Sequence, residues 1–270
     1  MEKKSNWIVN GILCVLSCIW IAPIVFVFMN TLKGKQEYNL GSLWDLPKGN
    51  QFVSNFQYII ESKVIFDGMA SSFLYAILGA GFALVIAILA AYAISHLQIK
   101  HRLFWFLFIY SGTIFPFQIY LIPVYKAYSK IHLYDTRLGM ILFYTAICIP
   151  FCMFVLRNFF MGIDREICES AKVDGATKLQ ILTKIFIPMA KAPIAILFMS
   201  QFNWSWNELM FGLTFTKTQG IRTVMATISV MDRGNVPVLF LACIIVSLPT
   251  IILFVLLQKN FDSGFVYTAK

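Results

Sequence analysis

Two short stretches of this 270-residue sequence concentrate the side chains able to do chemistry. The first, Asp164–Pro193, places eight charged residues between Asp164 and Lys184, inside an otherwise apolar half of the chain. Glu169, Lys172 and Asp174 precede Gly175 there, so a carboxylate and a turn residue are presented on one short element. A soluble partner can grip such an element through charge-assisted hydrogen bonds. The second stretch holds Gln201, Asn203, Trp204, Ser205, Trp206, Asn207 and Glu208. Indole faces cover the C–H patches of a sugar ring while amides meet its hydroxyls, so the chemistry on offer is solute recognition. Gln118 and Tyr120, between Pro116 and Pro123, are weaker candidates of the same kind.

Neither stretch suggests catalysis. There is no HExxH and no GxxxxGK[ST], so the chain is expected to bind no catalytic metal and to hydrolyse no ATP. His96, His101 and His132 fall in loops or at the ends of apolar blocks. Cys14 with Cys18, and Cys148 with Cys152, share helix faces without a nearby histidine or carboxylate. They read as packing thiols rather than a metal or redox pair. Catalytic residues and metal ligands are therefore expected to be none, and the protein is not expected to be an enzyme.

The elements that must position these residues follow from composition. The hydrophobic set makes up 59% of the chain and charged residues only 13%, against roughly 25% in a soluble domain. That is too little polar surface to cover a soluble core, and about 120 residues would go into six membrane helices of about 20 each. The net charge of +9 is scattered between apolar blocks rather than gathered on one face, so nucleic acid is excluded as a partner and contact with membrane lipid is favoured. The reading is a single transmembrane domain over 1–270. Its spans run about 8–31, 68–95, 103–125, 138–160, 192–215 and 236–257, with a loop at 161–191 and a tail at 258–270. In the second span Ser72, Ala76 and Ala80, then Ala83, Ala87 and Ala91, recur at four- and three-residue spacing. Such a small-residue face predicts burial among other helices, because helices in lipid associate by close packing. Six spans place both termini on one side, expected to be cytosolic; the excess of Lys and Arg there has the right sign but is too small to fix the orientation by itself.

Within the loop, Asp164 is expected to cap a short helix whose apolar side includes Ile167 and Ala171, with Gly175 as the left-handed residue ending it. Thr177 starts a second helix, in which Leu179, Leu182, Ile185 and Phe186 have helical spacing, and Pro188 and Pro193 bend the chain into the fifth span. Two readings of this elbow stay open: an amphipathic linker on the membrane surface, or a docking knob for a soluble partner. Two readings also stay open for Asn203, Trp204, Asn207, Glu208 and Gln118. They line a solute path, or Glu208 pairs across a helix interface while the tryptophans sit in the interfacial belt.

The spacing Glu169-Ser170-Ala171, three residues, Gly175, nine residues, Ile185-Phe186-Ile187-Pro188 resembles the EAA loop of bacterial ABC-importer permeases. Ser170 replaces that pattern's second alanine, and Ile187 its leucine. Further pieces resemble the shorter, maltose-type permease subunit of the carbohydrate-importer group. They are Ala90-Ala91-Tyr92-Ala93, Ile122-Pro123 with Tyr125, Arg157-Asn158-Phe159-Phe160, Ser205-Trp206-Asn207-Glu208, and a tail with Gln258, Lys259, Phe261 and Gly264. Tyr267-Thr268-Ala269-Lys270 departs from the family's small, glycine-containing ending.

The resemblance implies an all-α integral membrane protein of the type I ABC-importer permease fold, with a cytosolic coupling helix between spans four and five. Glu169, Ser170, Ala171, Asp174, Gly175, Ile185 and Pro188 would then be the residues coupled to an ATPase. It further implies a heterodimer with a second permease subunit, two ATPase subunits that bind ATP and Mg, an extracytoplasmic solute-binding protein, and a place in the bacterial cell membrane. The cargo is expected to be a sugar or oligosaccharide. The alternatives are a non-sugar solute (polyamine, phosphate or polyol phosphate) on the same architecture, or a secondary transporter. The absence of an internal repeat and of paired midplane carboxylates disfavours the last.

Overall fold

A computed structural model describes residues 7–258. Lys3, Lys4, Lys259, Phe261, Gly264 and Tyr267–Lys270, all used in the sequence reading, lie outside them. In chain order the helices are α1 (Trp7–Thr31), α2 (Lys35–Leu40), α3 (Phe52–Ser62), α4 (Val64–His96), α5 (Arg102–Tyr110), α6 (Leu121–Lys130) and α7 (Arg137–Met161). Then come α8 (Arg165–Val173), α9 (Lys178–Ile181), α10 (Ile187–Met189), α11 (Lys191–Asn207), α12 (Met210–Phe215), α13 (Val224–Ser229) and α14 (Val236–Leu257). Among the described residues, α1, α4, α7 and α14 are long and apolar enough to cross a membrane, and the number of spans rises to as many as six when each of two bent helix pairs is counted as one.

Two compact units divide the chain. The first comprises Met1–Phe66 and Ile228–Leu248. Here α1 leaves its apolar side chains exposed along most of its length, as a helix facing lipid or another chain does. The polar segment after it is ordered by buried polar groups. The Asn55 amide donates to the carbonyls of Thr31 (2.9 Å) and Lys33 (3.0 Å). The buried Lys33 ammonium donates to the carbonyls of Ser42 and Leu43.

The second unit, Asp67–Thr227 with Pro249–Lys270, holds both stretches singled out above. Ser72, Ala76, Ala80, Ala83, Ala87 and Ala91 of α4 are all buried, so the small-residue face packs as its spacing predicts. Gly79 marks the closest approach: a Cβ there would lie 2.9 Å from the Tyr144 Cβ of α7. Thr136 caps α7, its hydroxyl accepting from the Gly139 N–H at 3.0 Å, and the helix runs on past Pro150.

The third and fifth spans differ from the sequence reading. Instead of one helix over 103–125, the chain forms α5, a short 3-10 turn, a break at 114–116 and a second limb reaching Lys130, the two limbs bent by 90°. Pro116 sits at the start of the second limb and Pro123 in the first turn of α6. Both are places where a missing N–H costs no helical hydrogen bond. The fifth span ends at Asn207 rather than at 215, because Glu208 adopts an extended conformation (φ −72°, ψ 126°) and its carboxylate turns onto the next helix. The limb entering α11, Lys178–Met189, is bent from it by 75°.

Candidate functional site

The elbow between α7 and α11 is built from a buried root and an exposed tip. At its root Phe186 meets three rings: His96 with centroids 4.5 Å apart, Tyr92 at 5.1 Å and Phe160 at 5.2 Å. Cys168, Ile181, Leu182 and Ala190 join it in a core shared with α4, α7 and α11. The Tyr92 hydroxyl donates to the Lys178 carbonyl at 3.1 Å, adding a polar tie. Through Leu182–Phe186 the helix widens into a π turn, a deviation that often accompanies functional sites.

The tip is ordered by local hydrogen bonds. Gly175 has φ +81°, the left-handed conformation expected of it, and the N–H groups of Gly175 and Ala176 close onto the carbonyls of Lys172 and Ala171. A reciprocal capping box joins Thr177 and Gln180. Asp164 precedes α8 but makes no side-chain cap; Ser170 instead bonds back to the Glu166 carbonyl at 2.8 Å. The inward face of α8 is carried by Cys168 and Ala171, whereas Ile167 is exposed, and in the second helix Leu179 points out while Leu182 and Phe186 point in. Glu169, Ser170 and Asp174 are exposed, next to Val173 (87% exposed) and Leu179 (65%). Ala171 and Ile185 are half-buried, and Pro188 is exposed. Val173 and Leu179 are the residues that sequence reasoning missed as tip residues. An apolar residue beside a run of charge was the available signal.

A polar cavity of about 390 Å³ opens between the end of α4, the start of α5 and α8. Arg102, Arg165, Lys172, His96 and Glu169 line it, so Glu169 stands among basic groups of its own chain.

The residues proposed for the solute path do not converge. Glu208 is buried (6% exposed) and accepts hydrogen bonds from the Tyr144 hydroxyl (3.1 Å) and from the backbone N–H groups of Phe211 (3.0 Å) and Gly212 (3.3 Å). Its carboxylate thus tethers α12 to α7. Asn203 and Asn207 lie on an exposed face, bonded to each other at 2.9 Å. Trp206 is in the core, stacked on Phe202. Gln118 is exposed on the turn before α6.

Trp204 lines a cavity of about 510 Å³ with Gln201 and Ser200 of α11, Phe151 of α7 and the broken third span from Gly112 to Phe117, while Asn203 lines a separate one of about 270 Å³ with Thr250 and Phe254. The indole packs edge-on against Phe117 (5.9 Å) and Tyr144 (6.2 Å). The i, i+3 spacing of Gln201 and Trp204 was the sequence signal for their common face.

Just before α7 the Asp135 carboxylate accepts from the N–H of Lys217 (2.7 Å), the N–H of Thr218 (3.1 Å) and the Thr218 hydroxyl (2.6 Å). Burial alone would raise its pKa. The hydrogen bonds from Thr218 and Lys217, with the Lys217 charge, outweigh that and hold it below the usual carboxylate value.

The protein family described as "Binding-protein-dependent transport system inner membrane component" matches residues 83–267. The sulfoquinovosyl glycerol transport system permease protein SmoH of Agrobacterium fabrum is 25% identical over 265 residues, covering 97% of this chain and 92% of that one. The arabinooligosaccharides transport system permease protein AraQ of Halalkalibacterium halodurans is 26% identical over 273 residues, covering 98% and 97%. Among solved structures, a chain of a bacterial ABC transporter involved in import of the acidic polysaccharide alginate superposes with a TM-score of 0.82. The overlap spans 97% of this chain and 99% of that chain at 23% identity, a likeness of fold. With the all-helical spans and the EAA-spaced elbow in place, the family match over 83–267 makes this chain a member of the binding-protein-dependent inner-membrane transport components, the multi-pass permease subunits of ABC importers.

Proposed function

We propose that this permease imports a sugar or oligosaccharide, and that the 161–191 elbow is the coupling element through which a cytosolic ATPase drives it. The observation that carries the coupling reading is the division of the elbow. An exposed tip (Glu169, Val173, Asp174, Gly175, Leu179) stands on a root whose Phe186 is locked into the core of α4 and α7. A partner that holds the tip moves the root with it, since packed aromatic cores transmit displacement rather than absorb it. Glu169 supplies a charge-assisted contact to the ATPase, Ser170, Ala171 and Asp174 complete the docked turn, and Ile185 and Pro188 join it to α11.

The carbohydrate cargo is supported by the full-length similarity to SmoH and AraQ, whose names specify a sulfosugar glycoside and arabinooligosaccharides. The working assembly is this chain with a second, related permease, two ATPase subunits that bind ATP and Mg, and an extracytoplasmic binding protein. Both termini and the elbow lie on the cytosolic side. Vesicles holding the whole assembly test the reading. Uptake of labelled oligosaccharide should require ATP on the elbow side and the ATPase subunits, and uptake driven by an ion gradient alone would overturn it.

A further inference from the structure

We propose that the cavity of about 510 Å³ walled by Trp204 is a binding subsite for an uncharged sugar ring, anchored by the amide of Gln201. The proposal rests on the sugar-import reading above and adds to it a place and a charge preference.

Three independent observations meet at this cavity. Gln201 is only 7% exposed, lines the space, and its amide makes no hydrogen bond to any described residue. The side chain is mostly buried, but its amide atoms are not enclosed by protein, so they stay open to a hydrogen-bonding occupant of this space. The wall opposite is the break in the third span at 114–116, where the limbs turn through 90°. Irregular backbone at membrane depth persists where it lines a cavity, and broken helices mark solute sites in transporters. Aromatic rings make up much of the remaining surface (Phe115, Phe117, Phe151 and Trp204), beside Ile147 and the hydroxyls of Thr113 and Ser200, and the Trp204 indole is fixed edge-on by Phe117 and Tyr144. A rigid ring face beside a free amide suits the alternating C–H and O–H pattern of a pyranose or furanose.

The charge preference follows from what is missing. Among the described residues, none that line this cavity is charged. The nearby Glu208 is spent on Tyr144, Phe211 and Gly212. A uronate or sulfonate would enter without a cation to receive it, and an ammonium without a free carboxylate.

The test uses the complete assembly in vesicles. Uptake would be measured for tritiated di- to pentasaccharides of glucose, galactose and arabinose, beside galacturonate oligomers of the same lengths. At least one neutral sugar is expected to be transported, with the galacturonates at least about tenfold slower. Gln201→Met keeps the volume and removes the hydrogen-bonding group. It should raise KM for the neutral sugar about tenfold, with the maximal rate within about twofold. Gln201→Asn, which shortens the amide but keeps it, should fall between. Faster transport of galacturonates, or a wild-type KM in Gln201→Met, would overturn the subsite. If Gln201→Met fails to assemble with its partners, the neutral-to-galacturonate ratio of the wild-type assembly decides alone. Failure of every sugar to enter would instead sink the sugar-import reading itself.

Discussion

Tyr144 of α7 donates its phenolic hydrogen to the Glu208 carboxylate across 3.1 Å, while the same carboxylate receives the first free N–H groups of α12. One buried side chain therefore ends α11, starts α12 and ties both to α7. Tyr144→Phe deletes one donor and leaves the two backbone donors in place. It should lower stability by about 1–3 kcal/mol, read as a drop in the thermal unfolding midpoint in detergent. Glu208→Ala also strands the N–H groups of Phe211 and Gly212 and should cost more than Tyr144→Phe in the same measurement.

Gly175 holds φ +81°, where a β-branched residue is strained. No atom lies within 4 Å of a Cβ built there, so Gly175→Val changes the turn rather than creating a clash. The expected outcome is normal membrane insertion with ATP hydrolysis no longer matched by uptake. The ratio of sugar transported to ATP consumed is the measurement, and an unchanged ratio would count against the coupling role.

Glu169 is exposed on α8, beside Arg102, Arg165 and Lys172 of its own chain, and accessible to another one. Glu169→Lys should reduce co-purification of the ATPase subunits and their stimulated turnover at least several-fold. Equal recovery and equal turnover would favour a plain surface linker.

Phe186→Ala removes the ring that contacts Tyr92, His96 and Phe160. Such a truncation costs about 3–5 kcal/mol. Because the tip itself is untouched, ATPase subunits should still co-purify while uptake falls. Undiminished uptake with the ATPase subunits still bound would show that the root does not transmit movement.

Asp135 has a lowered carboxyl pKa, so its contribution to stability is complete above the ordinary unfolded carboxylate value. It disappears as pH falls through the depressed folded one. The clamp on Lys217 and Thr218 should therefore loosen only in strong acid. Asp135→Asn should flatten the acid limb of a stability-against-pH curve measured by thermal unfolding.

Much of this architecture could be read from residue spacing. The alternation of small residues from Ser72 to Ala91 predicted the buried face of α4, and Gly175 with Thr177 predicted where one short helix stops and the next starts. What escaped were outcomes decided by distant partners. Glu208 ends α11 with its carboxylate shared between the N–H groups of α12 and Tyr144 on another helix, whereas apolar spacing alone continued that helix to 215. The prolines at 116 and 123 signalled a bend but not its 90° size, which depends on how both limbs pack. In the second stretch polarity was legible and direction was not, so Asn203 and Asn207 fall on an exposed face while Gln201 lines the cavity.

Gly112, at the end of the first limb of the third span, lies so close to α7 that a Cβ would sit 3.0 Å from the Pro150 ring. Straightening the crease between the limbs must press on α7 at the residue where its own ladder already lacks a rung. Two weak points thus share one hinge line. The space beside Trp204 is bounded by how closely the third span sits on α7, and Pro150→Ala, which restores the missing rung, would alter it without touching any wall.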